Sequence, residues 1–266
     1  MERFQINFQL QELERVMPFG GAPDLRLHWF GLTDGLLWID AGTQTIYEYS
    51  EAARKYFQTE IRYNDYQISR FLEDFFFTFR HVGEPVPEEL YDVLEQFDQM
   101  VEKWRERHED EPDEVYERFY FDEYCLLGEW RTDRSFDSGH LVGGPYIGCF
   151  RCGDKLKLLW KSGFRLEDGS SIWTAPEGCF EMPYGQFVSE VKRFLDAFFA
   201  AMDRQVEQAA EKNWGNIFLD KQRLVEEHRE REEGFLQDLT FLEAPRVKTD
   251  WDKVMALYTR MKEETK

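Results

Sequence analysis

Cys149 and Cys152, followed by Gly153, have the spacing of one half of a zinc knuckle. A closed structural site needs four ligands, and the other thiols, Cys125 and Cys179, stand alone and far off in the chain. On a strand, Cys149 points opposite Phe150 while Cys152 points with it, so the two thiols face apart. They are read as buried structural cysteines. No metal and no cofactor are expected.

Asp133, Ser135, Asp137, Ser138 and His140 carry the residue types of a hydrolase triad within a few positions. Triad members normally come from separated parts of a chain, and no G-x-S-x-G elbow is present, so a polar turn is the reading taken. Gly139, Gly143, Gly144 and Gly148 lack the Gly-Lys-Ser/Thr ending and the following helix of a phosphate loop. His28 and Asp34 could form an acid/base pair. By alternation, however, His28 shares a face with Phe30 and opposes Leu27 and Trp29, and Asp34 sits in an Asp-Gly turn signal. His28, Trp29, Asp34 and Trp38, extended by Trp160 and Trp173, remain an alternative as the lining of a small-ligand groove. Glu73-Asp74 has Arg70 at the i−3 and i−4 positions, which favours a helix-surface ion pair.

Carboxylates give the strongest signal. Residues 84–124 hold sixteen acids against four bases, a net of −12 in a chain whose net charge is −20. Leu90, Leu94, Phe97, Val101 and Trp104 define one side of a helix expected over 88–108. Glu88, Asp92, Glu95, Glu102 and Glu106 centre about 155° away. Like charges three and four residues apart repel by a few tenths of a kcal/mol per pair, so helix stability does not ask for this concentration. It suits electrostatic steering toward a basic surface. The expected contact residues are Glu95, Asp98, Glu102, Glu106, Glu109, Asp110 and Glu111.

The elements that must position these residues read as α+β. Phe4, Ile6, Phe8 and Leu10 alternate with polar residues as in a half-buried strand. Leu25–Phe30 and Leu36–Ile39 flank Asp34-Gly35 as a hairpin would, and 45–49 completes a meander. Ser50 caps a short helix; Asn64 with Gln67 resembles a capping box before a Phe-rich helix through Phe79. Residues 114–127 suggest another helix. A second β region covers 146–161, with further short strands at 172–173 and 179–180. A long helix carries Phe187 to Val206, and Asp250 caps a terminal amphipathic one. Two antiparallel β regions with packed helices are therefore expected in a core domain over 1–210, with a helical extension over 211–266.

Twenty-four Phe and an aromatic content of 17% forecast a ring-packed interior. No run is long and apolar enough to span a bilayer, no signal peptide is evident, and four cysteines in 266 residues suit a reducing compartment. A cytoplasmic location is expected. The net charge disfavours direct contact with nucleic acid or anionic membrane and favours a basic protein partner.

The order FQINFQL, MPFGG, LHWFGLTDGLLWI, IYEYS, GPYIGCFRCGDKLKLLW and IWTAPEG, with the Phe-rich helix to Met202 and Arg204, resembles an uncharacterised bacterial family over roughly residues 3–209. That family usually has Trp where this chain has Phe19, and apolar residues at Cys149 and Cys152. The resemblance implies a bacterial origin and no activity. The leading expectation is a non-enzymatic, immunity-type inhibitor that occludes a basic toxin domain. Two other readings stand beside it: an enzyme or small-ligand binder with an aromatic groove, and a nucleic-acid mimic that occupies a DNA-binding protein.

Overall fold

The computed structural model describes residues 3–266, in which two four-stranded antiparallel sheets and a set of helices form an α+β fold. In chain order the elements are β1 (Phe4–Leu10), β2 (Asp34–Ala41), β3 (Gln44–Ile46), α1 (Glu51–Phe57), β4 (Asn64–Gln67), α2 (Ile68–Phe77), α3 (Phe79–Val82), α4 (Glu88–Asp92) and α5 (Phe97–His108). Then come α6 (Asp113–Phe119), a π-helical turn (Tyr120–Tyr124), α7 (Cys125–Thr132), β5 (Ser135–Asp137), β6 (Tyr146–Cys152), β7 (Lys155–Lys161), β8 (Glu177–Pro183), α8 (Tyr184–Glu211), α9 (Lys221–Leu239) and α10 (Trp251–Glu264).

β2 is the central strand of the first sheet; β1 pairs along it on one side, and β3 and β4 follow one another along the other. The alternation in β1 buries Phe4 and Ile6, while Gln5, Asn7 and Gln9 share the outer face with Trp38 and Asp40. The second sheet runs β5-β6-β7-β8. Its two faces enter different cores. Ile147, Cys149, Leu158 and Trp160 join the main core with α2 and α8. Phe150 joins a second core made by α4, α5, α7 and α10, with Cys152 and Leu159 packed against it.

Several local expectations change. The segment 25–30 is not a strand, and 31–33 is a 3₁₀ turn. Asp34-Gly35 opens β2 rather than turning a hairpin. Gly35 pairs with Leu10 on one side and Tyr66 on the other, and a side chain there would collide with the Gln9 carbonyl. The hairpin turn lies instead at 42–43, where Gly42 has φ +65°. Asn64 and Gln67 form β4, not a capping box; the Ser69 amide near the start of α2 is met by the hydroxyl of Thr33 at 3.3 Å, a partner distant in sequence.

The predicted helix over 88–108 is two helices. A turn over 93–96 separates them, Val93 leaving helical geometry, and the Leu94 carbonyl accepts from the Arg131 guanidinium at 2.9 Å. Leu90, Leu94, Phe97, Val101 and Trp104 all face inward as expected. The caps at Ser50 and Asp250 form as read, each hydroxyl or carboxylate oxygen accepting the amide three residues on.

The C-terminal helices contribute to both cores. Leu224, Phe235 and Leu239 of α9 enter the main one, and Val254, Tyr258 and Met261 of α10 the second. A buried clamp fixes the chain before α10. The Arg134 guanidinium, fully buried, donates to Glu84 at 2.6 Å and to the Thr249 hydroxyl at 3.1 Å, while the Thr249 amide donates to the same carboxylate.

Candidate functional site

The acidic segment forms one wall of a cleft against the second sheet. α5 turns Phe97, Val101 and Trp104 into the second core, which leaves Asp98, Glu102 and Glu106 along its outer side. The facing wall is the π-helical turn and α7, which bring Phe121, Tyr124 and Cys125 to this lobe of about 1130 Å³. π turns are rare and recur at functional sites because the extra residue re-aims the side chains after it. Phe121 is 65% exposed, so its ring is presented at the mouth of this lobe.

A second lobe of about 640 Å³ continues toward the sheet, bounded by Glu95, Phe150, Leu159, Lys161, Glu177 and Cys179. Asp98, Gln99, Arg131 and Tyr146 belong to both lobes and join them. Arg131 is the divider. Its guanidinium lies 5.3 Å from the Phe150 ring and 3.0 Å from Asp98. Around the whole cleft, Glu95, Asp98, Glu102, Glu106, Glu129 and Glu177 stand against Lys103, Arg131 and Lys161, so the lining is net negative. Burial and the neighbouring Glu95 carboxylate push the Cys179 thiol up to about 11, which keeps it protonated near neutral pH.

The seven acids expected to make contact do not act as one surface. Glu95, Asp98, Glu102 and Glu106 line the cleft; Glu109, Asp110 and Glu111 do not. Arg105 takes Glu102 and Glu109 at 2.6 Å each, and the hydrogen bond from Arg105 holds Glu102 below the usual carboxylate range. His108 takes Glu111 at 3.0 Å. Among the described residues, Glu95, Glu106 and Asp110 form no ion pair. Arg131, Tyr146 and Cys179 escaped sequence reasoning because each arrives from a different element and carries no local motif.

The aromatic-groove residues are dispersed. Trp29 and Trp173 are buried in the main core, and Trp160, also buried there, borders the smaller lobe of the cleft. Trp38 lies on the outer face of the first sheet, stacked on Tyr63 at 4.2 Å. His28 is exposed and stacks on Phe19 at 4.6 Å, whereas Asp34 accepts a hydrogen bond from Gln67 at 2.5 Å, so they make no mutual bond. Burial raises the Asp34 carboxyl, which the Gln67 bond opposes. Trp29 instead donates from Nε1 to His228 Nδ1 at 3.0 Å, and His228 Nε2 lies 2.9 Å from Asp203. An imidazole accepting at Nδ1 carries its proton on Nε2, so this chain of bonds, buried at Trp29 and exposed at Asp203, ties the LHWFG segment to α8 and α9.

The triad types near 133–140 also fail to converge. Ser138 is fully buried and bonded to the Tyr47 hydroxyl at 2.6 Å, while His140 lies 4.0 Å from Asp74. Arg70 pairs with Asp74 at 3.2 Å, and Glu73 reaches Arg231 on α9. The two thiols of 149 and 152 face different cores, as the strand alternation required. Among the described residues no group of three or more His, Cys, Asp or Glu is placed to hold a metal ion, and no helix is long and apolar enough to cross a membrane.

A family model described as a family of unknown function, DUF5984, matches residues 5–257, and the chain belongs to that family. The match runs past residue 209, where the motif likeness ends, through α9 and into α10. No curated protein and no solved structure matches the chain.

Proposed function

We propose that this DUF5984 member is a non-enzymatic binding protein that docks a basic protein surface at the cleft. In its most concrete form it is a bacterial, cytoplasmic immunity-type inhibitor that occludes the cationic substrate cleft of a toxin domain. One observation carries the reading: Glu95, Asp98, Glu102 and Glu106 run along one wall of a cleft whose facing wall presents the exposed Phe121 ring. Clustered carboxylates raise the encounter rate with a cationic surface by 10–10³-fold. A ring beside them supplies the desolvated anchor that slows dissociation.

Nucleic-acid mimicry draws less support. Helix geometry spaces the acids by about 5 Å along the axis, whereas duplex DNA carries a charge every ~1.7 Å. Several of the carboxylates are also internally paired.

The test is association kinetics with a panel of basic bacterial toxin domains, at several ionic strengths. Reversing Glu95, Glu102 and Glu106 to Lys is expected to slow association at least tenfold and flatten its salt dependence, with an unchanged unfolding midpoint. Equal rates and equal salt slopes for both proteins would make the stripe a solvated face only.

A further inference from the structure

We infer that the open edge of β8 receives an extended basic segment of the partner as an added strand, an inference that rests on the cleft being the partner's site. The hydrogen bonds at the two ends of the β7–β8 ladder set its phase. The Ser162 amide donates to the Pro176 carbonyl at 2.7 Å, and the Tyr184 amide to the Asp154 carbonyl at 2.6 Å. In an antiparallel register that pairs Leu158 with Phe180, this phase assigns Gly178, Phe180 and Met182 to β7. Glu177, Cys179 and Glu181 therefore direct their amide and carbonyl groups away from the sheet. Among the described residues no backbone or side-chain group hydrogen-bonds to them there.

Other edges are treated differently. On β1, the Ile6 amide donates to Glu190 of α8 at 2.7 Å and the Ile6 carbonyl accepts from Arg193 at 2.5 Å, so side chains occupy that edge. β3, β4 and β5 are three or four residues long. β8 has seven residues and no such guard. An unguarded strand of this length is a template for pairing with another chain.

Chemistry selects the occupant. Glu177 and Cys179 line the smaller lobe of the cleft, and Glu181, on the same face, accepts from the Tyr91 hydroxyl at 3.1 Å. Lys155, Lys157 and Lys161 stand one strand further in, Lys155 pairing with Glu181 at 3.1 Å, which leaves the acids outermost and Glu177 without an ion pair among the described residues. An added strand would meet Glu177, Cys179 and Glu181 at alternate positions. The matching pattern is basic, apolar, basic at every second residue, with the apolar side chain beside Cys179 at the rim of the smaller lobe. Pro183, which has no amide proton, closes the window after Glu181.

The probe is a ten-residue peptide, Arg-Thr-Val-Thr-Arg-Thr-Val-Thr-Arg-Thr, which sets Arg, Val and Arg at every second position, compared with two versions N-methylated at alternate nitrogens, one in each phase. With the wild-type protein, the plain peptide is expected to slow hydrogen exchange at the Cys179 and Glu181 amides at least tenfold, and one N-methylated version to bind at least tenfold more weakly. Cys179→Pro, which removes an outward amide, is expected to weaken the plain peptide by a similar factor, and Cys179→Val to stay within twofold. If Cys179→Pro misfolds, the N-methylated peptides on wild type decide alone. A peptide that binds, is lost on reversing Glu95, Glu102 and Glu106, but protects neither amide and tolerates both N-methylations overturns strand addition while leaving the cleft reading intact. Failure of charge reversal to weaken binding sinks the cleft reading itself.

Discussion

The first sheet closes its long edge and leaves one face to solvent, while the second sheet buries or covers both faces and leaves its last edge open. In the first, Glu190 and Arg193 occupy the β1 edge, and Asn7, Trp38 and Asp40 face outward. In the second, one face lies in the main core and the other is roofed by α4, α5, α7 and α10, with the acidic cleft where the roof does not close. The contrast teaches where binding capacity remains. A sheet whose edge hydrogen bonds are already satisfied offers only side chains, whereas β8 offers backbone groups beside a row of carboxylates.

The largest expected effect comes from loosening the roof. Arg134→Ala leaves the Glu84 carboxylate, 9% exposed, without its partner, and breaking such a pair costs about 3–5 kcal/mol. Urea unfolding is expected to show that loss. A change below 1 kcal/mol would mean that the segment before α10 is not held by this clamp.

Next in size is the guard on β1. Glu190→Ala deprives the Ile6 amide of its acceptor, for an expected loss of about 1–3 kcal/mol. It also turns β1 into a second open edge, so self-association should rise with concentration in light scattering. A monodisperse variant at all concentrations would show that α8 shields the edge by bulk alone.

A smaller, pH-dependent effect tests the far end of the roof. Although burial opposes it, hydrogen bonds from Trp104, Arg260 and His108 bring the Glu264 carboxyl down to about 2 from an ordinary value of 4.5. A depressed carboxylate contributes stability that is fully present above about pH 4.5 and is lost as pH falls toward 2. Wild type should therefore exceed Glu264→Gln in urea midpoint at pH 7, and the gap should shrink between pH 4.5 and 2.5. A constant gap over that range would assign the residue a packing role only.

Much of this architecture was legible from periodicity. The buried side of 90–104, the long α8, the caps at Ser50 and Asp250, and the opposed thiols follow from local spacing that the packing respects. The failures share a different cause, which is a tertiary partner overriding a local signal. Asp34-Gly35 became strand because β1 and β4 flank it closely, and the helix broke near Leu94 because Arg131, 37 residues away, took its carbonyl. Half of the cleft was visible as an acidic stripe. The other half, with Arg131, Tyr146, Cys179 and the Phe121 ring, is assembled from α7, β6, β8 and a π turn, and no single window of sequence contains it.

Carbodiimide labelling of carboxylates, read residue by residue by mass spectrometry with and without a basic partner, tests whether the cleft is the docking site. Glu95, Asp98, Glu106 and Glu177 line the cleft, while Glu12, Glu14 and Glu233 are exposed elsewhere on the surface. Partner binding is expected to slow labelling of the first four at least fivefold and to leave the last three unchanged. Protection of Glu12, Glu14 or Glu233 with free labelling of the cleft carboxylates would contradict docking at the cleft.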